Sequence, residues 1–420
     1  MAARMGQMGN RTTIYLTVAA ALLIVAPAQA IYQPLYSFGS GLSAPGSPNA
    51  GVIKSGSLLY GMTRVGGTFN RGIIFKFDTT TSTFTPVHNF GGVTPSGSWP
   101  HGNLIQSGTN LYGLTSGLLS SNNGTLFRFD TSTNTHTVLH GFSGATDGAT
   151  PYGTPLLSGN IVYGLTSAGG TSGGGTLFSY NTGTSAYTIL HHFAGGATDG
   201  GKPMGSLVMS GTKLYGMSED GGTANQGTMF QYDTANQSFS LLHSFTGGIS
   251  DGSSPQGSLL VAGTKLYGTT NGGGAYSKGT LFEFDTQSST YDMLHNFGAN
   301  VFQPETPNDS LVMVNNRLYG MSQYGGTVNP YDGTVFEFDP ATETTTVLHA
   351  FGTPPDGESP NGSLFFDGSK FYGMTEYGGA SGTGMIFSLD LPEPSSVMIV
   401  AAGGLARALQ RRRRASASPV

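Results

Sequence analysis

No cysteine occurs in the 420 residues, which excludes disulfides and thiolate-metal sites together. Charge is scarce, at 10% of residues, and tryptophan occurs once, at Trp99. Between residues 31 and 390 no stretch sustains a helical period, so a helical fold is excluded as well. That body keeps 11 of the 18 basic side chains and 22 of the 23 acidic ones, a balance of about −11. Nucleic-acid binding rests on clustered Lys and Arg, and this body has none to offer. Such a surface accepts cations and neutral glycans.

What the chain has in quantity is glycine, 67 residues, and it is placed periodically. A Tyr-Gly pair returns at Tyr60, Tyr112, Tyr163, Tyr215, Tyr267, Tyr319 and Tyr372, at intervals of 52, 51, 52, 52, 52 and 53. A proline stands twelve positions before each: Pro48, Pro100, Pro151, Pro203, Pro255, Pro307 and Pro360. A period near 50 across the whole body marks a repeat architecture, in which no unit buries its apolar surface alone.

One unit shows the construction. SLLV at 258–261, KLYGTT at 265–270, TLFEFD at 280–285 and TYDML leading into LHNF are short segments rich in aliphatic and aromatic residues. Gly, Asn, Asp and Ser bound them, so each unit reads as four short strands. Four antiparallel strands at this period predict a β-propeller blade, and seven copies predict a seven-bladed all-β propeller. The phasing favours a ring over a linear solenoid or an array of sandwiches. The last unit stops at its third strand, Met385 to Asp390, and the missing strand stands at residues 31–38, where LYSF replaces the recurring LHxF. An N-terminal strand completing the last blade would close the ring and remove two open edges.

The ends read differently. Arg4 and Arg11, an apolar run from Ile14 to Val25 and the Ala28-Gln29-Ala30 cleavage pattern predict a signal peptide over residues 1–30. Residues 391–420 contain Pro392-Glu393-Pro394, an apolar stretch from Val397 to Ala406, and Arg411 to Arg414. This order resembles the PEP-CTERM sorting signal of Gram-negative bacteria. The resemblance implies processing by signal peptidase and an exosortase-type membrane transpeptidase, with the tail as a transient anchor. Arg407 interrupts the apolar stretch, a departure from the pattern. The repeats themselves, reading LYGMT…GGT…GTLFxFDT…VLHxF, resemble the GloVer tandem repeat over essentially all of residues 31–390. That resemblance implies export and surface attachment; it implies no enzymatic activity.

Candidate chemistry is sparse. His88, His140, His191, His243, His295 and His349 recur in LHxF, where strict alternation would place the histidine on one strand face with the preceding Val and following Phe. Their expected role is to fix blade to blade. Asp147, Asp199, Asp251 and Asp356 recur in Asp-Gly turns and are weak calcium candidates, since one carboxylate per loop falls short of the six to eight oxygens calcium takes. No catalytic nucleophile, base or metal set is legible. Function on such a scaffold resides where the repeat is broken. Those positions are Trp99 and His101 in one blade, with Glu305, Asp309, Tyr331 and Asp332 in the sixth. The expected activity is non-catalytic: an exported envelope or surface protein binding extracellular polysaccharide or another envelope component. The alternatives are a glycan-active hydrolase or lyase and a purely structural surface or matrix protein.

Overall fold

Lys265–Thr270 and Thr280–Asp285 are buried along almost their whole length and pair antiparallel as the two central strands of a four-stranded sheet. Leu260–Ala262 adds the short innermost strand and Thr290–Asn296 the outer one. Seven such sheets follow one another along the chain, each an antiparallel blade, and together they form a seven-bladed propeller. The computed structural model describes residues 30–391 except 42, 93–95, 118–122, 327–331 and 353. The leader, the Pro-Glu-Pro tail and Tyr331 therefore lie outside the described residues. Ala30–Leu391 form one compact unit.

Ring closure follows the phasing of the repeats. Ile31–Ser37 pairs antiparallel with Met385–Asp390 and becomes the outer strand of the seventh blade. The two ends of the propeller are thus held by one sheet, and the edge of Met385–Asp390 is covered by the N-terminal strand.

The periodic residues have separate packing reasons. In every blade the glycine of Tyr-Gly lies under the phenylalanine ring of the third strand. A methyl added at Gly268 would come within 2.5 Å of Phe282 Cζ, and one at Gly373 within 2.4 Å of Phe387 Cζ. The periodic proline packs on the preceding blade, where a methyl added at Gly279 would lie 3.1 Å from Pro307 Cδ. The core is correspondingly divided between blades. Tyr215, Met217, Met229 and Phe245 of the fourth blade pack on Leu259, Leu266, Phe282 and Phe284 of the fifth, and the same arrangement recurs around the ring. No blade buries this surface alone, which is why the repeat must close.

One expectation is corrected. In six blades the outer strand carries a β-bulge at the residue before the LHxF histidine: Leu281 pairs with His295 and Phe282 with Met293, leaving Leu294 extra. In the second blade Leu126 and Phe127 pair with His140 and Val138. Consecutive partners face opposite sides of a sheet, so the bulge parts Val138 from His140 instead of aligning them.

Candidate functional site

The loop after each periodic proline reaches the propeller axis. Seven such loops line a cavity of about 220 Å³. The backbones meet closely there: a methyl added at Gly102 would lie 2.3 Å from Gly153 O, one at Gly153 2.2 Å from Gly205 O, and one at Gly205 2.1 Å from Gly257 O. Hydrogen bonds run from blade to blade beneath this contact. The amide of Asn103 donates to Thr154 Oγ1 (2.8 Å), that of Thr154 to Ser206 Oγ (2.7 Å) and that of Ser206 to Ser258 Oγ (2.8 Å).

The position directly after the proline varies, and this variation gives the cavity its chemistry. It holds Asn49, His101, Tyr152, Met204, Gln256, Asn308 and Asn361. Three of these amides are oriented by the residue that follows a second strand: Gln256 Nε2 donates to Glu219 Oε1 (3.0 Å), Asn308 Nδ2 to Gln323 Oε1 (3.0 Å) and Asn361 Nδ2 to Glu376 Oε2 (3.3 Å). Asn49 Nδ2 lies 3.3 Å from His101 Nδ1. Asn49 Oδ1, Asn308 Oδ1 and His101 Nε2 are buried without a hydrogen-bond partner. Unpaired buried polar atoms are costly, and three of them share this one cavity.

The next position is glycine in five blades, Ala50 in the first and Asp309 in the sixth. Asp309 is half-buried and is the one carboxyl group among the described residues lining the cavity. Its backbone carbonyl accepts from Thr269 Oγ1 at 3.4 Å, while its carboxyl has no hydrogen bond or ion pair among the described residues. Burial pushes that carboxyl up to about 7. Burial, with the Arg64 charge acting in the same direction, lowers His101 to about 3, so its imidazole is neutral at physiological pH.

The structure therefore joins two of the repeat-breaking residues, His101 and Asp309, in one cavity. It separates the others from them. Glu305 is buried, pairs with Lys278 Nζ at 2.8 Å and exchanges backbone hydrogen bonds with Tyr324. Asp332 is buried too, its carbonyl accepting from the Ser359 amide at 2.8 Å. Trp99 plays a part common to all blades. It precedes the proline in the left-handed region (φ 55°), as Ser47, Thr150, Lys202, Ser254, Thr306 and Ser359 do at φ 48–55°. Its amide donates to Arg71 O of the first blade (3.0 Å) and its carbonyl accepts from the Ser116 amide (3.1 Å). This backbone stitch holds neighbouring blades together at the conformational cost of a left-handed non-glycine residue.

The Asp-Gly carboxylates answer the repeated histidines. Asp147, Asp199, Asp251 and Asp356 lie 3.0, 3.1, 3.2 and 3.1 Å from Nε2 of His140, His191, His243 and His349. Backbone amides add to these bonds, as at Asp251, which accepts from Thr246 N (2.8 Å) and Gly252 N (2.7 Å). Burial opposes ionisation of Asp251, but the bonds from His243, Thr246 and Gly252 outweigh it and hold the carboxyl below its usual range. Each histidine also stacks on the next blade: His140 on Tyr187 at 3.8 Å, His243 on Tyr291 at 3.9 Å and His349 on Tyr32 at 3.7 Å. This His-Asp pairing was missed in the sequence, although the co-occurrence of LHxF and Asp-Gly in the same repeats carried the signal. Among the described residues no group of three or more His, Asp or Glu is arranged to hold a metal ion.

The repeat frame that builds this ring matches the Gloeobacter/Verrucomicrobia repeat over residues 19–178, 145–331 and 302–405. The chain belongs to that repeat family. No curated protein matches the sequence. Solved structures similar to this Gloeobacter/Verrucomicrobia repeat protein include an oligogalacturonate lyase in complex with manganese, at 11% identity and a TM-score of 0.54, covering 87% of this chain and 99% of that one. An oligogalacturonate lyase from Vibrio parahaemolyticus matches at 10% identity and 0.52, with the same coverage of 87% and 99%. An extracellular domain from B. thetaiotaomicron matches at 13% identity and 0.56, covering 86% of this repeat protein and 40% of that chain. At these identities the likeness is one of fold.

Proposed function

We propose that this repeat protein is an exported, non-catalytic envelope protein that binds a polyhydroxylated ligand, an extracellular polysaccharide or another envelope glycan, at its axial cavity. The observation that carries the reading is the lining: amide, hydroxyl and imidazole side chains delivered by successive blades, with three buried polar atoms lacking protein partners. A sugar presents many hydroxyls that donate and accept, which is the complement such a lining calls for. The volume of 220 Å³ is below the roughly 300–1,000 Å³ of sites for drug-sized ligands, so one ring-sized group enters at a time. The leader over residues 1–30 and the Pro-Glu-Pro tail, processed by signal peptidase and an exosortase-type transpeptidase, would deliver the propeller to the envelope.

A second reading, a glycan-active lyase, has one observation in its favour. Asp309 is a carboxyl in a cavity with its titration moved to about 7, where a general base or acid is most effective. Calorimetry of the protein against exopolysaccharide from its source, with chromatography of the same mixture for released sugars, tests both. Saturable binding without products supports the binding protein. Unsaturated oligosaccharide products would make it a lyase, and neither binding nor products would leave a structural role.

A further inference from the structure

Asp309 has no counterpart in the ring. At its position five blades carry glycine and one alanine, so nothing in the repeat frame calls for a carboxyl there. Blade-to-blade packing does not use it: the contact with the fifth blade is made by its backbone, whose carbonyl carbon lies 3.1 Å from a methyl added at Gly257. The charges nearest the cavity are otherwise matched among themselves. Glu219 is bonded by Gln256 and paired with Lys202 at 2.6 Å, and Glu376 is bonded by Asn361 and lies 3.8 Å from Arg64. The titratable groups that share the lining with Asp309 are His101, held neutral, and Tyr152. A carboxyl among neutral amides and hydroxyls, with Lys202 and Arg64 paired to other carboxylates, has no cation of its own among the described residues.

We infer that Asp309 is the counter-ion for an ammonium group, so that the axial cavity selects an amino sugar over its neutral N-acylated counterpart. The inference rests on the carbohydrate-binding reading and deepens it. Two features favour an organic cation over a bare metal ion. The cavity, at 220 Å³, is several times the roughly 30 Å³ share of one water molecule. Calcium also takes six to eight oxygen ligands, commonly with several carboxylates, where this cavity supplies one. An ammonium carries three donors and no acceptor, matched by a carboxylate together with amide and hydroxyl oxygens. Ligand entry would ionise Asp309, giving a binding site whose preference for the amine is weak in acid, grows toward neutral pH and falls again where the amine loses its own proton.

The test is calorimetry of the full protein with glucosamine and with N-acetylglucosamine at pH 5 and pH 7.5, repeated for Asp309→Asn and Asp309→Gly. The glycine variant restores the residue of the other blades and guards against misfolding of the asparagine one. Thermal melts establish that both are folded. A charge-assisted hydrogen bond corresponds to a preference of about tenfold or more. The expected result is that preference for glucosamine at pH 7.5, lost at pH 5 and lost in both variants. Equal binding of the two sugars, unchanged by either variant, would overturn the ammonium assignment and leave the carbohydrate reading standing. Binding of neither sugar by the folded protein would overturn the ammonium assignment, and the exopolysaccharide titration then decides the carbohydrate reading separately. Calcium binding that depends on Asp309 and excludes glucosamine would overturn the assignment in favour of a metal.

Discussion

Replacing Asp309 by Asn should make the ligand-free protein more stable at pH 8 and leave it unchanged at pH 4. An unfolded aspartate gives up its proton near its ordinary value of 3.8, whereas burial at the axis holds the folded one to about 7. Between those values the native state binds more protons than the unfolded state. Stability contributed by this group is therefore full below pH 4, falls as pH rises through the window, and levels off above 7. Three units correspond to about 4 kcal/mol at most, and contact with the cavity's solvent reduces this to about 2–4 kcal/mol. The assay is urea unfolding of both proteins from pH 4.5 to 8. Every other titrating group cancels in the difference curve, which should climb from near zero to that plateau with its midpoint between 4 and 7. A difference independent of pH, or one that grows toward acid, would refute the claim that Asp309 is held protonated by desolvation.

Three further outcomes are expected. Asp251→Asn removes the charge that pairs with His243 and should cost about 1.5–3 kcal/mol near neutral pH. Because the folded carboxyl titrates below its usual range, that contribution is lost as pH falls through the folded value, so wild type and variant should converge in acid. Gly268→Ala places a methyl 2.5 Å from Phe282 and should cost about 1–3 kcal/mol by denaturant unfolding, with partial rescue by Phe282→Leu, whereas Gly263→Ala, where a methyl meets nothing within 4 Å, tests only the local φ of 64°. Removing Ile31–Ser37 exposes the Met385–Asp390 edge and should increase self-association on light scattering relative to the protein with its closing strand intact.

The repeat architecture is legible in the sequence alone, because seven copies of Tyr-Gly and proline at one spacing leave few ways to bury their faces. Even the closing strand was legible, expected over residues 31–38 and found at Ile31–Ser37, since a unit cut one strand short is matched by an unpaired copy of that strand at the other terminus. Local rules sufficed there: strand period, turn residues and copy number all concern neighbours in sequence. They failed where an extra residue intervened, and the bulge before each LHxF histidine undid the alternation expected of it. The site was harder still. His101 and Asp309 are more than 200 residues apart, and only the closure of the ring sets them around one cavity. Glu305 was as conspicuous in the sequence as Asp309, yet Lys278, 27 residues away, claims it as an ion-pair partner and leaves Asp309 without one. A spacing of 52 residues determined that each blade would present a side chain after its proline. Which of those side chains share a cavity, which carboxyl is buried there and which charges are already matched are consequences of ring geometry, since desolvation and pairing depend on what surrounds a group in space.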